Sequence, residues 1–68
     1  MNRIREVLDE KGVKQTWLAE KVGKSYNMIN RYSGNKIQPS LETLFQIADL
    51  LDVEVSELLA KKNIQNGK

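Results

Sequence analysis

A chain of 68 residues, with 11 Lys and Arg against 9 Asp and Glu, builds one small domain around one core, with nothing left for a second module. It contains no Cys and no His, which removes disulfides, thiolate metal sites and the commonest metal ligand and general base, so neither a metal nor a cofactor is expected. No apolar run reaches membrane-spanning length and the opening MNRIREVLDE has no apolar signal region, so a soluble cytoplasmic protein without a membrane partner is the expectation.

Ile4, Val7 and Leu8 recur at helical spacing and predict a first helix over 2–11, stopped by a left-handed Gly12. Leu18, Ala19 and Val22 mark a second helix over 14–22, closed by Gly23. Ser25 is a good N-cap for a third helix that runs through Tyr32, with Ile29, Tyr32 and Ser25 itself on the inward side; Gly34 and Asn35 end it. A loop runs from Asn35 to Ser40, with Pro39 just ahead of the Ser40 cap. Leu41, Leu44, Phe45, Ala48 and Leu51 form the apolar stripe of a fourth helix. A short fifth helix is expected over Val55–Ala60, and residues 61–68, KKNIQNGK, read as a polar, disordered tail beyond a domain of residues 1–60.

Within 15–34, three positions define a motif. Two helices that cross through a tight turn need a small residue where their backbones approach, and Ala19 is that residue. The turn needs a residue that accepts positive φ, supplied by Gly23, and the next helix needs a branched apolar anchor, supplied by Ile29. With Leu18, Val22 and Tyr32 on the buried side, this is the pattern of a helix-turn-helix.

The wider chain resembles the Cro and phage-repressor type (XRE-like) family. The resemblance is carried by Gln15, Leu18, Ala19, Gly23, Ser25, Ile29, Pro39, Ser40, Leu41, Leu44, Ala48 and Leu51, continues through Val53, Val55 and Leu58, and covers about residues 2–60. It implies an all-α, compact five-helix bundle of the lambda-repressor-like kind, with the helix-turn-helix in helices 2 and 3. Two departures stand out. Where the family often pairs an Arg in the first helix with a Glu after the recognition helix, this chain has Leu8 and Ser33, so both partners are missing together. Where the family caps the second helix with Thr or Ser, this chain has Lys14, forgoing a cap bond worth roughly 1 kcal/mol.

On a wheel of about 100° per residue, Tyr26, Asn27, Asn30 and Arg31 fall on the outward arc of the third helix, with Met28 at the boundary. The resemblance maps base contacts onto Tyr26, Asn27 and Arg31. The chemistry agrees, since Arg can donate twice to guanine and Asn can pair with adenine. Gln15 at the start of the second helix, with Lys14, Lys24, Asn30, Asn35 and Lys36 around the same edge, are read as contacts to the DNA backbone. The plain alternative for Lys24 and Lys36 is that they only solubilise the surface. Trp17, where the family has a charged residue, either covers the first helix or lies near DNA, with packing favoured.

Charge is unevenly shared: residues 1–36 hold eight basic and four acidic side chains, and residues 37–68 hold three basic and five acidic. The basic half suits a polyanion. In the acidic half, Ile47, Leu50, Val55 and Leu59 are candidates for a homodimer seam, unless Ile47 and Val55 simply finish the core. The predicted function is a sequence-specific regulator of transcription on double-stranded DNA, acting as a two-fold dimer on a palindromic operator. The alternative is an antitoxin-type interaction module that binds DNA only within a complex. No catalytic residue is expected, because neither a nucleophile with its base nor a paired-carboxylate signature is present.

Overall fold

The computed structural model describes residues 1–59. The chain forms α1 (Ile4–Lys11), α2 (Gln15–Val22), α3 (Tyr26–Ser33) and α4 (Leu41–Leu51), followed by a single 3₁₀ turn, Val55–Leu58. The all-helical expectation therefore holds, with four α-helices among the described residues rather than five. The fifth element tightens into a 3₁₀ turn, held by a reciprocal capping box between Glu54 and Glu57. Ala60 and the expected tail over 61–68 lie outside the described residues.

Local signals set most helix ends. Gly12 and Gly23 close α1 and α2 in the left-handed region, at φ 69° and 78°. Ser25 Oγ accepts from the Met28 amide at 3.1 Å and Ser40 Oγ from the Thr43 amide at 3.2 Å, so α3 and α4 each start on a capping hydroxyl. Ser25 itself, expected on the inward side with Ile29 and Tyr32, is exposed, with its hydroxyl engaged as the cap. Lys14 makes no side-chain cap bond, as its chemistry requires.

One apolar cluster joins the elements. Ile4, Val7 and Leu8 of α1, Leu18, Ala19 and Val22 of α2 and Ile29 and Tyr32 of α3 are buried with Leu44, Ile47, Ala48, Leu51 and Leu58. Each large side chain fully withdrawn from water contributes about 1.5–3 kcal/mol. α2 packs against both α3 and α4, α1 against α3, and the 3₁₀ turn against α1 and α4. At the α2–α3 turn the Ala19 carbonyl accepts from both Gly23 and Lys24 amides, each at 3.0 Å, and the small Ala19 side chain allows the close crossing.

α4 is rotated relative to the expected stripe. Leu41 and Phe45 are exposed, at 64% and 57%, while Thr43 and Ile47 are buried. The apolar residues of α4, Leu41, Leu44, Phe45, Ile47, Ala48, Leu50 and Leu51, together span more than half the helix circumference, and contact with α2 and the 3₁₀ turn covers their Leu44–Ile47–Ala48–Leu51 side. Ile47, fully buried, finishes the protomer's core and cannot form a dimer seam. Leu50 and Val55 are half-buried against the same core, and Leu59 is 43% exposed.

α1 starts two residues later than expected because Asn2 has another task. It forms an isolated antiparallel bridge with Leu59, the Arg3 amide donates to the Leu58 carbonyl at 2.7 Å, and the Asn2 side-chain oxygen accepts from the Ile4 amide at 3.0 Å. An Asn that bonds the backbone two residues on favours a turn over a helix. The two ends of the described chain thus meet beside α3.

Candidate nucleic-acid interface

α2 and α3 present their polar sides to one face of the molecule. α2 begins with no side-chain cap and no carboxylate in its first turn, which leaves its leading amide donors and positive dipole end uncompensated beside Lys14. Gln15 opens that helix half-buried, and its Oε1 is buried with no hydrogen-bond donor. On α3, Ile29 and Tyr32 anchor the helix inward, turning Tyr26, Asn27, Asn30 and Arg31 to solvent.

Two adjoining clefts collect these side chains. One of about 360 Å³ is lined by Arg5, Asn27, Asn30, Arg31, Gly34 and Lys36. The other, of about 390 Å³, has Lys14, Gln15 and Tyr26 among its walls, with Arg5, Leu8, Asp9, Val13 and Thr16. The structure therefore brings together Asn27, Asn30, Arg31 and Lys36, and separately Lys14, Gln15 and Tyr26. Lys24 is exposed in the α2–α3 turn but lines neither cleft.

Asn35 does not join them. Its side chain is turned back onto the N-terminal segment: Oδ1 accepts from the Asn2 amide at 2.8 Å and from Gln38 Nε2 at 3.1 Å, and Nδ2 donates to the Asn2 carbonyl at 3.2 Å. A half-buried amide with three internal bonds is a structural tie, and Asn35 lines neither cleft.

Arg5 was missed by sequence reasoning, and it lines both clefts. Its only sequence signal is that it follows Ile4 on the flank of α1. That α1 packs against α3, which makes the flank part of this face, is a tertiary fact. The one ion pair among the described residues, Arg3 with Glu10 at 3.5 Å, involves none of the cations on this face. Elsewhere, Asp49, Asp52, Glu54 and Glu57 gather around a separate groove between α4 and the 3₁₀ turn. The charge division along the sequence is thus also a division between surfaces.

Trp17, 38% exposed, lines a cleft with Gly12, Val13, Lys14, Thr16 and Glu20 that contains no α3 residue. Leu8 and Ser33 are both buried where the family often has an ion pair, and Ser33 Oγ has no hydrogen-bond partner. No described helix is long and apolar enough to cross a membrane.

Comparison with known proteins agrees with the motif. The model of the helix-turn-helix family matches residues 4–58. A crystal structure of a putative DNA-binding protein from Bacteroides fragilis is 50% identical in sequence and superposes with a TM-score of 0.84, covering 85% of this chain and 94% of that one. Among curated proteins, none matches.

Proposed function

We propose that this chain, which belongs to the helix-turn-helix family, is a sequence-specific regulator of transcription that binds double-stranded DNA in the cytoplasm through a domain of residues 1–60. α3 lies in the major groove, where Arg31 donates to guanine, Asn27 pairs with adenine and Tyr26 touches a thymine methyl or a phosphate. Gln15 and the uncapped start of α2, with Lys14, Lys24, Asn30 and Lys36, hold the sugar–phosphate backbone. The observation that carries this reading is the outward arc of α3. It sets Asn27, Asn30 and Arg31 around one cleft that no carboxylate lines, on a helix anchored from behind by Ile29 and Tyr32.

One such helix spans only a few base pairs, too few for genomic specificity. Two copies on a palindrome, with half-sites about 34 Å apart, meet that need. Leu59 and the exposed parts of Leu50 and Val55 remain available for the seam, and Phe45 and Leu41 offer more apolar surface than any of them.

The test is selection of bound sites from a random duplex library, followed by affinity measurements on the selected duplex. Arg31→Ala and Asn27→Ala should each lose roughly 1–3 kcal/mol at one base pair and leave non-specific binding largely intact. No enrichment of any sequence, or both variants keeping the wild-type preference unchanged, would overturn the assignment.

A further inference from the structure

Three cations converge on one cleft with no carboxylate among its walls. Arg5 comes from α1, Arg31 from α3 and Lys36 from the following loop, with Asn27, Asn30 and Gly34 completing the lining. None of the three is ion-paired among the described residues. Like charges around a shared cleft repel one another and depend on water and salt to screen them. An anion seated among them removes that repulsion and gains charge-assisted bonds from a planar guanidinium and an ammonium.

The backbone around the cleft favours such a ligand. Gly34 presents no side chain, and a carbon placed there would lie 3.8 Å from Arg5 Nη2 and 3.9 Å from Lys36 Cγ, so both cations flank the bare end of α3. They are also held in register with each other. Asn2 and Asn35 are joined by two hydrogen bonds, at 2.8 and 3.2 Å; Arg5 lies less than one helical turn beyond Asn2, and Lys36 is the residue after Asn35.

We infer that this cleft is a phosphodiester site in which Arg5, together with Lys36, grips one phosphate of the DNA strand at the end of α3. The inference rests on the DNA-binding reading and adds α1 to the binding surface. A phosphate fixed beside Gly34 sets the register of α3 in the groove, leaving Arg31, one turn back along the helix, to reach a base edge. Arg5 contributes affinity for every sequence and preference for none.

The test compares wild type, Arg5→Gln and Arg5→Lys on a selected and a scrambled duplex across a salt series. Among the described residues Arg5 makes no side-chain hydrogen bond or ion pair, so thermal unfolding should be the same for all three. Arg5→Gln should reduce the slope of log affinity against log salt by about 0.9, one phosphate's worth, and weaken both duplexes by the same factor, while Arg5→Lys restores most of the slope. Replacing single phosphates by neutral methylphosphonates should reveal one position that weakens wild type but not Arg5→Gln. An unchanged slope and affinity in Arg5→Gln, with wild type still selective, would overturn the site and leave the DNA reading standing. A lost preference at one base pair would make Arg5 a base reader and overturn the phosphate assignment. Failure of wild type to bind either duplex would instead overturn the DNA reading itself.

Discussion

Asn2 and Asn35, 33 positions apart, close a reciprocal pair of hydrogen bonds: the Asn2 amide donates to Asn35 Oδ1 at 2.8 Å, and Asn35 Nδ2 donates to the Asn2 carbonyl at 3.2 Å. Asn2 is buried and its remaining polar groups are also satisfied, since Nδ2 donates to the Tyr32 carbonyl and to Gln38 Oε1, each at 2.9 Å. Asn35 holds a left-handed φ of 60°, which Asn tolerates better than most residues with a side chain. The tie fastens the start of the described chain to the end of α3, so the proposed recognition helix is braced at its C-terminal end by the N-terminal segment.

This relationship predicts an order of stabilities. Asn35→Gly removes the side-chain bonds but accepts the backbone conformation, while Asn35→Ala loses the bonds and is strained as well. The Ala variant should lose about 1–3 kcal/mol and the Gly variant less. Thermal unfolding should therefore rank wild type above Gly above Ala. An Ala variant that melts with wild type would mean the tie contributes nothing.

Two glycines should respond unequally to the same substitution. Gly23, at φ 78°, closes α2 in the left-handed region, and Gly23→Ala should cost about 1–2 kcal/mol. Gly34 closes α3 at φ −87°, where a Cβ would meet its nearest neighbour, the Asn30 carbonyl oxygen, at 3.4 Å. Gly34→Ala should change stability by less than about 0.5 kcal/mol. Denaturant midpoints of the two variants measure the contrast, and equal losses would contradict it.

Ser33 predicts a gain. Its hydroxyl is buried without a partner, and such a group costs about 1–3 kcal/mol relative to one that is satisfied. Ser33→Ala removes the group and places a better helix former in α3. The melting temperature should rise by several degrees, at roughly 4–8 °C per kcal/mol for a domain of this size. A fall would show that the hydroxyl is paired in solution.

The proposed dimer seam can be located by charge. Phe45 and Leu59 are both exposed, Phe45 on α4 and Leu59 beyond the 3₁₀ turn. Phe45→Glu and Leu59→Glu should leave each protomer folded, because neither side chain belongs to the buried cluster. Sedimentation on a palindromic duplex should give two protomers for wild type and one for whichever variant lies in the seam. One protomer per palindrome for wild type at saturation would sink the dimer itself.

What the sequence determined by itself was local. Gly12 and Gly23 as left-handed stops, Ser25 and Ser40 as caps, and the Ala19–Gly23–Ile29 pattern each depend on a few consecutive residues and on the conformational freedom of one of them. That was enough to place the helix-turn-helix, its inward anchors and the outward arc of α3. Tertiary structure decided whatever depends on a distant neighbour. Periodicity drew an apolar stripe on α4, but contact with α2 and the 3₁₀ turn decided that Ile47 and Thr43 go in while Leu41 and Phe45 stay out. The bonds of Asn2 to Asn35, Tyr32 and Gln38 cross 30 or more positions and have no local signature. The position of Arg5 between the two clefts likewise exists only because α1 packs against α3. A cap or a turn is settled within a few residues, whereas the covered side of a stripe, and the partner of a buried amide, are settled by whichever element the folded chain lays against it.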